Sequence, residues 1–146
     1  QSMSKEEKEQ LLNDFKEEKH AGGILLGVTG ANFAEGVDFP GDLLKAVVVI
    51  GIPLAKPDLQ TKQVIEYYNK KYNKGWDYGY MFPAFSKCIQ SAGRCIRSGT
   101  DRGVVVYLDE RFAWQRYYDC FPDKVGLMVT KNYDKIIESF FGTFGN

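Results

Sequence analysis

Three short, uninterrupted apolar runs constrain this chain more than any other feature. They are Ile24-Leu25-Leu26-Gly27-Val28, Ala46-Val47-Val48-Val49-Ile50 within residues 45–52, and Val104-Val105-Val106-Tyr107-Leu108 within residues 103–108. None alternates polar with apolar residues, so each is expected to be a strand buried on both faces. Segments with helical spacing separate them. Buried strands that alternate with amphipathic helices predict an α/β domain, an open parallel sheet flanked by helices. A length of 146 residues with 44% hydrophobic content suits one compact domain with a sizeable core.

The remaining elements follow from local signals. Ser4-Lys5-Glu6-Glu7 reads as a capping box that opens a helix over residues 4–19, with the stripe Leu11, Leu12 and Phe15 and an end at Gly22-Gly23. Over residues 59–72, Val64, Ile65, Tyr68 and Tyr72 fall on one helical face. Residues 73–83, with Trp76, Tyr78, Tyr80 and Phe82, read as a loop whose aromatics pack a core, form a lid or stack bases. A helix is expected over residues 84–98, stopping at Gly99, and a short one over 112–120. Residues 126–129 suggest a fourth strand, and Tyr133, Ile136, Ile137, Phe140 and Phe141 mark a last amphipathic helix. Ligands of open parallel sheets collect beyond the carboxyl ends of strands, where the loops 29–42 and 53–58 are expected.

Charge and cysteine usage narrow the function classes. Lys and Arg balance Asp and Glu at 19 each, so no global basic field implies unaided nucleic-acid binding. Cys88, Cys95 and Cys120 are odd in number and lack metal-site spacing. They are expected to be reduced, buried thiols of a cytoplasmic protein, or of a nuclear one in a eukaryote. His20 stands in a turn with no ligand partner in the sequence around it. No run approaches the ~18 apolar residues of a membrane span.

Two stretches carry chemistry. In Gln90-Ser91-Ala92-Gly93-Arg94-Cys95-Ile96-Arg97, helical geometry would bring Gln90, Arg94 and Arg97 within about 60° of one another. Phe85, Cys88, Ala92 and Cys95 would face a core. Two guanidiniums on one ridge repel each other unless an anion arrives, and their planar donor forks suit phosphate. The second stretch is Glu35-Gly36-Val37-Asp38-Phe39-Pro40-Gly41. Gly36 permits a tight backbone, Asp38 can accept from a ribose hydroxyl and Glu35 can anchor the loop; alternatively this is a structural turn with solvated acids. Residues 100–103 favour a turn with a local ion pair. Asp109-Glu110-Arg111-Phe112 either braces Arg94 or Arg97 or forms a solvated cluster. No G-x-x-x-x-G-K-[ST] loop is present, and no acidic cluster follows a strand to hold Mg²⁺. A nucleotide site completed by another domain resolves this pairing of phosphate-seeking arginines with no phosphate cradle.

Gln90-x-x-Gly93-Arg94-x-x-Arg97 resembles helicase motif VI, and the stretch from Glu35 to Gly41 resembles motif V. With Asp101-Arg102-Gly103 and Asp109-Glu110-Arg111-Phe112, their order resembles the XPD/DinG-type superfamily 2 DNA helicases, with an archaeal XPD-like protein as the nearest likeness. The similarity covers about residues 22–121. It implies that residues 1–146 are the second RecA-like motor domain, incomplete at its amino end, with motif IV preceding Gln1. By that resemblance Asp38 and Gly36 lie at the ATP ribose, and Gln90 and Arg94 at the phosphates. Arg97 is the arginine finger, and Thr29, Gly30 and Asn32 lie along single-stranded DNA. The resemblance implies a 5′-to-3′ ATP-dependent DNA helicase in repair or transcription, with partners to match. The phosphate loop, the Mg²⁺-binding acids and a four-cysteine iron–sulfur cluster would belong to the first motor domain, so Cys88, Cys95 and Cys120 are not the cluster ligands. Arg102 departs from the pattern, standing where many relatives have an aromatic residue. The rival readings are a non-catalytic interaction or regulatory module of a repair or transcription complex, and a small-molecule α/β enzyme with a self-contained phosphate site.

Overall fold

The computed structural model describes residues 3–18, 20–28, 39, 43–96, 99–122, 124 and 126–144. At its centre two strands, β1 (Ala46–Ile50) and β2 (Val104–Leu108), pair in parallel, with Ala46 opposite Val104 and Ile50 opposite Leu108. The β-branched runs suit this extended backbone, and Gly51 turns the chain out of β1 at φ +77°. This is the expected parallel α/β arrangement. The two-faced burial is not observed: Val49 is buried at 4% exposure, whereas Val48 and Ile50 are 52% and 72% exposed. The core described here covers one face of the pair.

The other two expected strands are not strands. Residues 22–28 run without regular structure, and Ile24, Leu26 and Val28 stand out into solvent. Residues 126–129 form a turn and an irregular segment with Met128 and Val129 exposed. An apolar run becomes a strand only where a neighbouring edge can take up its backbone hydrogen bonds. Among the described residues β1 and β2 pair only with each other.

Helix α1 (Lys5–Glu17) starts as the capping box predicts: the Glu7 N–H donates to the Ser4 hydroxyl at 3.2 Å, and the Ser4 N–H donates to the Glu7 carboxylate at 2.7 Å. Helix α2 (Leu59–Tyr72) is capped by Asp58, which accepts from the Thr61 N–H at 2.7 Å, and closes on Asn73 at φ +53°. Of its expected apolar face, Ile65 and Tyr68 are half-buried while Val64 and Tyr72 are exposed.

The segment expected to be an aromatic loop is helical instead. A π-helical turn (Asp77–Met81) runs directly into α3 (Phe82–Ala92), with Pro83 in the first turn, where its missing N–H is harmless. Two glycines four residues apart explain the close contact with α2. A Cβ on Gly79 would lie 2.8 Å from the Ile65 Cα, and one on Gly75 would lie 2.7 Å from the Asn69 Cβ. Met81 is almost wholly buried, while Trp76 and Tyr78 are exposed.

Along α3, Ala84, Phe85, Cys88 and Ala92 form the buried stripe against β1. Phe85 meets Phe121 edge-on at 5.0 Å, and Tyr107 on β2 meets both Phe112 and Phe121 at 5.0 Å. The short helix expected over residues 112–120 is two pieces, a 3₁₀ turn (Glu110–Ala113) and α4 (Gln115–Tyr118), separated at Trp114. Helix α5 (Tyr133–Phe144) follows the expected spacing. Among the described residues no helix is long and apolar enough to cross a membrane.

The glycine contacts make a paired prediction. Gly79→Ala should force α2 from the π-helical turn and cost about 1–3 kcal/mol. Gly142→Ala, inside α5 with nothing within 4 Å, should gain up to about 1 kcal/mol. Urea denaturation would show opposite shifts of midpoint at constant slope. Shifts in the same direction would contradict the packing.

Candidate nucleotide-facing site

The α-helix ends sooner than the sequence suggests. Ala92 is its last residue, and the Gly93 N–H closes it on the Ile89 carbonyl at 2.9 Å. Beyond it the chain tightens into three-residue turns, Arg94 N–H to the Ser91 carbonyl at 3.4 Å and Cys95 N–H to the Ala92 carbonyl at 3.2 Å. Gln90 is therefore helical and exposed, whereas Arg94 lies past the helix in a turn. A single helical ridge holding Gln90, Arg94 and Arg97 is corrected for Arg94. The glycine after Ala92 accounts for the early end, because it is the poorest helix former after proline.

Cys95 fixes that turn in the fold. It is 4% exposed, and its Sγ donates to the Leu44 carbonyl at 3.2 Å, just before β1. On its other side lies Gly103, just before β2, where any Cβ would overlap the Cys95 sulfur and approach the Lys45 carbonyl at 3.1 Å. The Val104 N–H donates to that same Lys45 carbonyl at 3.0 Å. Burial pushes the Cys95 thiol above its ordinary pKa.

The arginine turn thus sits at the amino ends of both strands, not beyond their carboxyl ends. The loop at residues 53–58 follows β1 and lies at the opposite edge. Asp109 occupies that far edge too. It caps the 3₁₀ turn through the Arg111 N–H at 2.9 Å and holds the Arg111 guanidinium in a fork, at 2.9 Å to Oδ1 and 2.7 Å to Oδ2. Those hydrogen bonds keep its carboxyl below the usual aspartate range. Of residues 109–112, read either as a brace for Arg94 or Arg97 or as a solvated cluster, Asp109 pairs with Arg111 of its own stretch, and Arg97 lies outside the described residues.

Of the acidic stretch, the structure describes Phe39. It is buried at 6% exposure and meets Phe15 of α1 edge-on at 5.9 Å. Arg94 is half-buried, its Nε is enclosed, and it is engaged by its surroundings. Thr29, Gly30, Asn32, Gly36, Asp38 and Arg97 lie outside the described residues. Sequence reasoning missed Cys95 and Gly103 as a contact pair. The available signal was a glycine directly before a valine run, with a cysteine between two arginines.

No three His, Cys, Asp or Glu side chains converge among the described residues, so these supply no cage for Mg²⁺ or an iron–sulfur cluster. The three thiols are separate: Cys88 is fully buried, Cys95 bonds Leu44, and the Cys120 Sγ donates to the Arg116 carbonyl at 3.3 Å. What the site can offer an anionic ligand is guanidinium and amide donors.

The helicase C-terminal domain family matches residues 1–126, which include both motif stretches. The chain belongs to the helicase C-terminal domain family. Its parallel α/β fold is accordingly RecA-like, and it is a helicase motor domain. It is 38% identical over 103 residues to the ATP-dependent DNA helicase DinG of Photobacterium profundum, covering 70% of this chain and 15% of that protein. It is 34% identical over 132 residues to the 3′-5′ exonuclease DinG of Bacillus subtilis, covering 89% and 14%. A probable ATP-dependent helicase of Methanocaldococcus jannaschii is 33% identical over the whole chain and 24% of its own length. The domain spans at most a quarter of these relatives.

Two predictions follow from the buried groups of this helicase domain. Burial holds the Cys88 thiol at a pKa of about 11, so at pH 8 a chromogenic thiol reagent should label Cys120 first and reach Cys88 and Cys95 only through unfolding. Equal rates for Cys95 and Cys120 would contradict the enclosed turn. The lowered Asp109 pKa adds stability that is present above the ordinary aspartate value of 3.8 and is lost as pH falls through the lowered one. Asp109→Asn should therefore flatten the acid limb of stability against pH, and an unchanged limb would contradict the pairing.

Proposed function

We propose that this chain is the second motor domain of an ATP-dependent DNA helicase with 5′-to-3′ polarity. In this reading residues 1–146 form one RecA-like unit, and ATP binds between it and a first motor domain of the same polypeptide. The observation that carries the reading is the anchoring of the arginine turn at the amino ends of the paired strands. The turn bearing Arg94 is anchored to the chain that leaves the acidic stretch, through Cys95 and Leu44.

Within this proposal Asp38 accepts from the ribose and Gly36 lets the backbone approach it. Gln90 and Arg94 face the phosphates, and Arg97 stabilises charge on the transferring phosphoryl group, a role worth about 10³–10⁵ in rate. The triphosphate draws the two domains together through these donors, and hydrolysis releases them. Alternating closure moves single-stranded DNA past Thr29, Gly30 and Asn32. The phosphate loop, the Mg²⁺ ligands and any iron–sulfur cluster belong to the first motor domain in this reading. Repair or transcription factors are the proposed protein partners.

The test compares this chain alone with a polypeptide carrying both motor domains. Alone it should bind ATP weakly and hydrolyse essentially none. Joined to the first domain it should show DNA-stimulated hydrolysis, which Arg97→Ala lowers by at least ~10³. Tight, Mg²⁺-dependent turnover by the isolated chain would support the self-contained enzyme instead, and full turnover after Arg97→Ala would remove the finger role.

A further inference from the structure

Backbone hydrogen bonds shape the turn that carries Arg94, whose side chain is engaged by its surroundings. After Gly93 closes the helix on Ile89 at 2.9 Å, the backbone continues through two three-residue bonds of 3.4 and 3.2 Å. Hydrogen bonds at that length and geometry are weak. A tertiary contact ties the turn to the sheet: a sulfur 4% exposed, donating to one strand's approach and pressed against the other's bare α-carbon.

We propose that Cys95 is a positioning residue for the phosphate-facing Arg94, its thiol locking that residue's turn between the Leu44 carbonyl and the Cα of Gly103. The inference rests on the nucleotide-facing role proposed above for Arg94 and Arg97. Cys95 is covalently next to Arg94 and two residues before Arg97, so its Cα lies within about 7 Å of either Cα. Leu44 follows Asp38 by six residues in the sequence, so the sulfur bonds the chain shortly after the acidic stretch. A group displaced by about 1 Å in a phosphoryl-transfer site can cost on the order of 10²-fold in rate. Loosening this contact therefore acts on turnover through Arg94.

Three substitutions in the two-domain polypeptide test this, each assayed for kcat and KM for ATP per folded molecule, with the folded fraction set by thermal denaturation. Cys95→Ala removes the donor and leaves a gap; kcat should fall about tenfold or more while KM changes far less. Cys95→Ser keeps a donor for the Leu44 carbonyl and should restore most of the lost turnover. Gly103→Ala drives a methyl into the sulfur and should also lower kcat, and Cys95→Ala in the same chain should partly reverse that loss by making room. Arg97→Ala serves as the reference. If Arg97→Ala abolishes hydrolysis while Cys95→Ala leaves kcat unchanged, the positioning role is overturned and the motor reading stands. A Ser variant as poor as the Ala variant, or a double variant no better than Gly103→Ala alone, also overturns it. Should Cys95→Ala not fold, the Ser and double variants decide by the same criteria. Full activity of Arg97→Ala would instead overturn the motor reading itself.

Discussion

A sulfhydryl occupying the space that a missing side chain leaves is the contact on which the site's arrangement depends. Cys95 fits against Gly103 because glycine carries no Cβ there, and the fit brings its Sγ within 3.2 Å of the Leu44 carbonyl. Both strand pairing and turn geometry feed into that point. The Val104 N–H reaches the Lys45 carbonyl at 3.0 Å, so the two strands begin side by side, and the turn after α3 drops onto their shared start. The amino edge of the sheet thereby gains the turn of Arg94, while the carboxyl edge holds the closed Asp109–Arg111 pair.

The core supports this from one side. Helix α3 presents Ala84, Cys88 and Ala92 at four-residue intervals, small enough for close approach to β1, with Phe85 entering the Phe112, Tyr107 and Phe121 cluster. Edge-to-face and tilted rings at 5.0–5.8 Å fix side chains more specifically than aliphatic packing does. A rigid helix ending at a glycine is what allows the following turn to be set by a tertiary contact.

Much of the fold was legible from periodicity. The Ser4 capping box, the helix from Leu59 to Tyr72, the two valine-rich strands and the last helix are each encoded by residues within one or two turns of one another. The failures share a cause. Ile24, Leu26 and Val28 have the composition of a strand, but pairing depends on a remote edge that local sequence does not encode. Residues 73–83, read as a loop, contain Gly75, Gly79 and Pro83, which are poor helix formers. The glycines serve close packing on Ile65 and Asn69, and the proline sits in a helix's first turn. Trp76 with Tyr80 and Tyr78 with Phe82, both four apart and in ring contact, were the helical signal available. The candidate site was legible only as residue types, two arginines spaced by three with an upstream amide, of which the structure describes Gln90 and Arg94. The position of the Arg94 turn was not legible, because the ordinary rule for parallel sheets points to the carboxyl edge and the turn lies at the amino edge.

The location of the nucleotide is therefore the most direct test. A structure of the two-domain polypeptide with a non-hydrolysable ATP analogue should place the triphosphate against the amino ends of β1 and β2, with the guanidiniums of Arg94 and Arg97 turned toward the γ-phosphate. A nucleotide seated instead at the carboxyl edge, beside residues 53–58 or the Asp109–Arg111 pair, would contradict the account.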